Sequence, residues 1–493
     1  MEAKRVAPKA AWSNQHAKLQ GKPATAIYNG SSVCDIAGQP KVVTIAPPIR
    51  IFHPVFQEFL DRINDPKFEP DEEVALEVSR LMSYSSEVHT YEDANFSELR
   101  RILAGLSGGN ATPDDIMIKR KGSCDIPLVL LEYRRSIGKG GCDPSIQAAY
   151  SLREFLYKDE VRVFHIFRIF VLRVFHSPQL SGFLDACGCP SFLLAGGGPY
   201  LYILGTIHTD KFIVQHLTEL YLREATPFDE TQKYHVAKIF TSLRRARDTL
   251  DQYYERISDQ IIISPTPTTP RDPLELRRRC FFPHATEFKE YQAGMDAESQ
   301  LTEFEYTDVP DARSTNVTFF AQVKSSKRKL VIKFVDRYGV EAHELLANAG
   351  MAPQLLYCGT LDGKSDVRND RNRVRDRLIN GLYLGPMRMV VMDRVEADKQ
   401  DAWPENAREQ TEEAVEKLHS AGFVFGDLRL PNVLFSKGKV FLIDFDWAGK
   451  SGEARYPHSL SRSVDWPADP ESLELKIIEP DHDLFMLRQC FST

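Results

Sequence analysis

Hydrophobic and polar positions change rhythm several times along the 493 residues. Residues 1–49 show no period, only recurring Ala, Pro, Lys and Gly, which predicts a flexible N-terminal arm. In "PVFQEFLDRI", "DEEVALEVSRLMSYSSEV" and "FSELRRILAGL", between residues 54 and 106, apolar residues return at helical spacing, with Pro, Asp and Gly between the runs. Three helices are predicted. "DIMIKRKGSCDIPLVLLEYRRS" carries two apolar runs around a Lys-Arg-Lys-Gly turn and predicts a β-hairpin. A helix follows in "DPSIQAAYSLREFLY", two strands in "SFLLAGGGPYLYILGTIHT", and helical spacing returns in "FIVQHLTELYLRE" and "YHVAKIFTSLRRARDTLDQYYERI".

"SPTPTTPRDP", 264–273, has prolines at 265, 267, 270 and 273 and no core residue, so it cannot hold regular structure. The boundary predicted there separates an α/β domain over 50–262 from a second domain over 281–493, with a Pro-rich linker over 263–280. The second domain opens with the strand-like runs "EFEYTDV", "VTFFAQV" and "KLVIKFV". A helix "GVEAHELLANAG", a strand "QLLYCG", a charged excursion and a buried strand "MRMVVMDRV" come next. "PENAREQTEEAVEKLHSAG" is a helix with Pro404 near its start and Gly422 past its end.

Composition alters this picture little. A hydrophobic fraction of 42%, a charged fraction of 27% and a net charge of −7 give no overall basic excess to attract nucleic acid. The eight cysteines are scattered, and "CGC" at 187–189 lacks metal or redox spacing, which predicts an intracellular, reducing compartment and no structural zinc. No signal peptide is expected, because "MEAKRVAPKAAWSNQ" lacks an apolar run, and no membrane span, because Arg162, Arg168 and Arg173 interrupt the most apolar stretch, 161–176.

The chemistry concentrates in "FVFGDLRLPNVLFSKGKVFLIDFDW", 423–447, where Asp427, Asn432 and Asp444 punctuate apolar runs that read as short strands. Together with Lys333 in "LVIKF", the segment resembles the protein kinase-like superfamily, whose "VAIK", "HRDxxxxN" and "DFG" motifs it parallels in order. That resemblance implies an α+β, bilobal kinase-like C-terminal domain with a short C-lobe and no "APE" motif. It implies ATP and Mg²⁺ as cofactors and a protein Ser/Thr hydroxyl as acceptor. Phosphoryl transfer needs the hydroxyl beside the terminal phosphate and cations against the developing charge. Asp427 would then be the base, with Arg429 in the same loop, Asn432 and Asp444 the metal ligands, and Lys333 the phosphate clamp, paired with Glu341 in preference to Glu344. Met392 and Val395 in "VMDRV" would hold adenine through backbone groups, and Asp483 would brace the catalytic loop.

Several positions depart from the pattern. Phe425 and Gly426 replace the loop histidine and arginine, Asp446 replaces the glycine of "DFG", and "TDVPDARSTNV" lacks glycine where the phosphates would be cradled. These departures keep open a pseudokinase or nucleotide-sensing scaffold. In the first domain, Asp115 and Glu132 on the predicted hairpin, with Gln147 on the following helix, resemble a PD-(D/E)XK nuclease core. Arg134 stands where the lysine of that motif belongs and cannot readily release a proton. A third reading is therefore a metal-dependent nuclease-like domain regulated by the kinase-like half, with "RRAR" at 244 and "RRR" at 277 as candidate phosphate contacts. The chain as a whole is similar to kinase-domain proteins abundant in mushroom-forming fungi, and in architecture to Crinkler-type effectors.

Overall fold

In the computed structural model the chain divides into two units, Met1–His284 and Ala285–Thr493. It describes residues 27–28, 31–34, 40–44, 46–86, 92–107, 116–121, 124–134, 144–156, 187–209, 212–224, 226, 229–263, 282–291, 301–308, 317–369, 378–379, 382–383, 385–399, 403–458 and 460–491. The predicted linker therefore lies outside the described residues apart from Ile263, the last residue of a helix, and 280 falls outside as well. The stretch 161–176, the basic "RRR" at 277 and most of the glycine-free "TDVPDARSTNV" also fall outside.

In the first unit, β1 (Ile27–Tyr28) precedes a small hairpin of β2 (Ser31–Cys34) and β3 (Pro40–Thr44). The helices α1 (Pro54–Asn64), α2 (Glu72–Ser86) and α3 (Glu92–Leu106) follow, as their 3.6-residue period predicts. The Lys-Arg-Lys-Gly hairpin forms β4 (Ile116–Lys121) and β5 (Cys124–Arg134). From β5 the chain crosses through α4 (Pro144–Leu156) to β6 (Ser191–Gly197), which runs parallel to β5. A parallel neighbour requires such a crossover, whereas β6, β7 (Tyr200–His208) and β8 (Phe212–Tyr221) need only tight turns to run antiparallel. The sheet order is β1-β8-β7-β6-β5-β4, and the long α5 (Glu230–Ile263) packs on α1 and α2. Every residue of β6 is buried, as expected of a strand covered on both faces.

Two expectations are corrected here. "FIVQHLTELYLRE" forms β8 rather than a helix, because Phe212, Ile213 and Val214 are consecutive and all buried. A surface helix would turn one of the three toward solvent, while a strand between β7 and β1 buries all of them. The arm is likewise not featureless, since Ile27 and Tyr28 add a parallel strand opposite Phe212 and Ile213.

The second unit is built on an antiparallel sheet of order β13-β16-β12-β11-β10-β9. Its strands are β9 (Glu287–Lys289), β10 (Leu301–Asp308), β11 (Thr318–Val323), β12 (Lys329–Val335), β13 (Leu355–Gly359) and β16 (Arg388–Asp393). Residues alternate between buried and half-buried along β11, the period of a sheet with one covered face. The helix α6 (Val340–Asn348) connects β12 to β13, and the charged excursion before β16 carries a short hairpin of β14 (Leu378–Ile379) and β15 (Leu382–Tyr383). After β16 come α7 (Ala407–Ser420), β17 (Phe423–Val424), the hairpin β18 (Val433–Ser436) and β19 (Lys439–Leu442), and β20 (Gly449–Lys450), which pairs with β17. A short α8 (Pro470–Leu473) and a final α9 (Pro480–Cys490), packed on α7, complete the unit. The fold is a mixture of helices and sheets in both units. Among the described residues no helix is long and apolar enough to cross a membrane.

Candidate active site

Three separated stretches of the second unit come together around a largely buried set of charged side chains. Lys333 projects from β12, a strand whose Val331 and Ile332 pair with Met392 and Val391 of β16. Asp427 and Asn432 come from the loop between β17 and β18, closed by a 3-10 turn Leu430–Asn432 that Pro431 favours. Asp444 and Asp446 follow β19. Lys333 Nζ lies 2.6 Å from Asp444 Oδ1 and 2.8 Å from Asp446 Oδ2. Asn432 Nδ2 donates to the Asp427 carbonyl at 2.8 Å and to Asp427 Oδ2 at 2.9 Å. With its amide nitrogen committed to Asp427, the carbonyl oxygen is the atom of Asn432 suited to a cation. Arg429 forks onto the same carboxylate, Nε to Oδ1 at 2.6 Å and Nη2 to Oδ2 at 2.9 Å.

Local backbone geometry serves this cluster. Gly426 has φ +85°, a left-handed conformation that costs glycine nothing, and it turns the chain so that Asp427 points inward. Asp444 adopts φ +70°, uncommon for a residue with a Cβ and better tolerated by Asp and Asn than by most. Strain of this kind gathers at functional sites. The loop is held from behind by Asp483 of α9, fully buried, which accepts from Phe425 N at 2.8 Å and from Gly426 N at 2.7 Å. His419 Nε2 of α7 approaches the same carboxylate at 3.0 Å.

The electrostatics follow from burial and these pairings. Burial raises the Asp427 carboxyl above its ordinary range, against the pull of Arg429, and the Asp444 charge adds to the rise. Burial also opposes charge on Asp444, but Lys333 outweighs it and holds that carboxyl below the ordinary range. Asp446 is raised, by burial first and by the neighbouring Asp444 second. Burial opposes the Lys333 charge, yet Asp446 and Asp444 together keep its ammonium above the ordinary value. Among the described residues no hydrogen-bond partner reaches the buried Asp446 Oδ1 or Arg337 Nη2. The Asp444 carboxylate and the Asn432 amide oxygen are hard oxygen donors of the type Mg²⁺ takes, so in donor chemistry these two residues fit that ion.

The expected helix partner of Lys333 is not at this cluster. Glu341 is 66% exposed and lies 3.8 Å from Lys450. Glu344 is held by Arg368 at 2.8 Å, whose guanidinium is itself clamped by the buried Asp366 and stacks over Tyr291. The phase of α6 turns His343 inward instead, flat against Phe445 with ring centroids 4.4 Å apart. Its Nε2 lies 2.8 Å from the Pro353 carbonyl and its Nδ1 2.8 Å from Tyr338 Oη. Because a carbonyl only accepts, Nε2 carries the proton and Nδ1 accepts from the tyrosine. Gly339 opens α6 because a Cβ there would stand 2.4 Å from the Ala448 carbonyl oxygen, and its N–H donates to the Phe445 carbonyl at 2.9 Å. The helix is thus joined to the Asp444–Asp446 segment through backbone and ring contacts.

Burial lowers the His343 imidazole to about 4. The unfolded chain takes up this proton near pH 6.5, so the neutral ring supports the fold fully above that pH. The contribution is lost as pH falls, and by about pH 4 close to 3 kcal/mol is gone. Tryptophan fluorescence of Trp403, Trp447 and Trp466 during denaturant unfolding reads this. His343→Gln, which keeps a donor and an acceptor, should flatten the acid limb for this unit; an unchanged slope would reject the assignment.

Met392 sits inside β16, opposite Val331 and Leu355, while Val395 follows the strand end and is half-buried. Asp115 lies outside the described residues. Glu132 is half-buried on β5, Arg134 closes that strand, and Gln147 belongs to α4. Among the described residues no group of three or more His, Cys, Asp and Glu is gathered to hold a metal ion. The cluster at Asp427 is of mixed type, with an asparagine among its oxygen donors. Sequence reasoning missed His343 and the pairing of Asp446, although the "DFD" spelling marked Asp446 as a departure. No protein-family model matches the chain, and no curated protein matches it.

Proposed function

We propose that the second unit is a bilobal, kinase-like phosphotransferase that moves the γ-phosphate of ATP to a protein hydroxyl with the help of Mg²⁺. The observation that carries this reading is that Lys333, Asp427, Asn432 and Asp444, from widely spaced positions, form two neighbouring polar sets, Lys333 with Asp444 and Asn432 with Asp427, whose carboxylates feel each other's charge. A structural salt bridge explains a lysine and one aspartate, but not the second aspartate with its fork of arginine and asparagine. In this reading Lys333 binds phosphate oxygens, and Asn432 and Asp444 would hold the metal, which neutralises charge on the transferring group. Asp427 accepts the proton of the attacking hydroxyl, a task suited to a carboxylate whose affinity for protons burial has raised. Arg429 orients that carboxylate and places a positive charge beside it.

A thermal-shift titration of the full chain with ATP tests the reading. A ligand at one hundred times its Kd adds about 2.7 kcal/mol to the unit that binds it. The wild type should show a Mg²⁺-dependent rise, and Asp444→Asn, which keeps the left-handed backbone accessible, should lose it while folding normally. Absence of any rise at millimolar nucleotide would overturn the phosphotransferase reading in favour of a nucleotide-independent scaffold.

A further inference from the structure

Lys333 has two carboxyl groups within ion-pair distance where a phosphate clamp ordinarily needs one. Asp444 is the nearer, but under the proposed function its carboxylate is shared with the metal, so it cannot by itself fix the lysine. Asp446 contributes its Oδ2 at 2.8 Å from two residues further along the same segment. No carboxylate of α6 competes for the lysine. Glu341 is exposed against Lys450, Glu344 is engaged by Arg368, and the inward position belongs to a neutral ring stacked on Phe445. The ammonium is nearly enclosed, with a side chain only 10% exposed, so its direction is set by those two carboxylates rather than by solvent.

Resting on the phosphotransferase reading, we infer that Asp446, and not a glutamate of α6, is the residue that positions Lys333 against the nucleotide phosphates. When a divalent ion draws on Asp444, Asp446 remains as the counter-charge that keeps the ammonium in place. The arrangement also changes what α6 does. Its attachment to the site runs through His343, Phe445 and the Gly339 N–H, none of which is an ion pair that can be made and broken by swinging the helix. The lysine and its positioning carboxylate then stay matched whenever the Asp444–Asp446 segment is in place.

A double-mutant cycle decides the matter. Nucleotide affinity of the full-length chain is read by calorimetry at saturating Mg²⁺ for wild type, Asp446→Asn, Lys333→Met and the double variant. Asp446→Asn should weaken ATP binding about tenfold, and in the Lys333→Met background it should have little further effect, because a residue acting through the lysine is coupled to it. Asp446→Glu should recover part of the affinity, and Glu341→Gln and Glu344→Gln should bind as wild type does. If Asp446→Asn weakens binding equally in both backgrounds, Asp446 acts on the metal or the fold and the inference fails, as it does if Asp446→Asn binds like wild type. If the wild type binds no ATP, it is the phosphotransferase reading that falls. Melting curves without nucleotide identify any variant that fails to fold, and Asp446→Ser then replaces Asp446→Asn in the cycle.

Discussion

Asp427→Asn is expected to reduce phosphoryl transfer on the order of 10³-fold, within the usual range for loss of a general base. The substitution keeps the volume of the side chain and one oxygen for Arg429, but removes the group able to accept a hydroxyl proton. It also turns an amide N–H₂ toward Arg429 and Asn432, both of which donate to the present carboxylate. Nucleotide binding should survive, because the lysine, Asp444 and Asp446 form their own set of contacts. The expected kinetic signature is therefore a fall in kcat with the KM for ATP within about threefold of wild type. Steady-state kinetics with a generic basic protein as acceptor would check it. Activity within tenfold of wild type would remove Asp427 from the role of base and leave it as a structural anchor for Arg429.

How much of this site was legible in the sequence depended on how local each requirement is. Asp427, Asn432 and Asp444 lie within eighteen residues, and the "LFSKGKVFLI" hairpin between the last two folds the chain back on itself. Their convergence follows from that turn, so short-range reading reached it. Lys333 was legible because "LVIKF" parallels the "VAIK" motif and stands in order before the other three residues; a lone lysine there reads as an edge-strand charge. The partner itself was not legible. Glu341, His343 and Glu344 span one turn of α6, and helical phase alone decides which faces inward. The Gly339–Ala448 approach sets that phase from a residue over a hundred positions away.

The same limit explains the errors in the first unit. "FIVQHLTELYLRE" has apolar residues that suit a helix of one amphipathic face, and its run of Phe212, Ile213 and Val214 suits a doubly covered strand. The decision between them came from β7, which offers a full antiparallel edge, and from β1, which arrives from an arm with no periodicity of its own. Two residues of strand leave no pattern in a sequence, so only the partner strand could reveal them.

Asp483→Ala is expected to be the most destabilising single change at the site. Its carboxylate receives two backbone N–H groups of the loop that carries Asp427, and His419 stands beside it. Both N–H groups belong to buried or tightly turned positions, so neither can find water if the carboxylate is removed. Each buried donor left unpaired costs about 1–3 kcal/mol, which sums to roughly 2–6 kcal/mol before any loss of packing. Asp483→Asn retains one accepting oxygen and should fall between wild type and the alanine variant. The functional effect is separable from the energetic one. At a temperature where the variant remains folded, the loop is freed while Lys333, Asp444 and Asp446 keep their contacts, so ATP should still raise the melting point, by less than in wild type because Asn432 belongs to the freed loop, while turnover falls. Denaturant unfolding and the nucleotide shift, measured on the same variant, check the two halves independently. A stability within about 0.5 kcal/mol of wild type would mean that the loop does not depend on Asp483 and that Gly426 holds its left-handed turn through its neighbours alone.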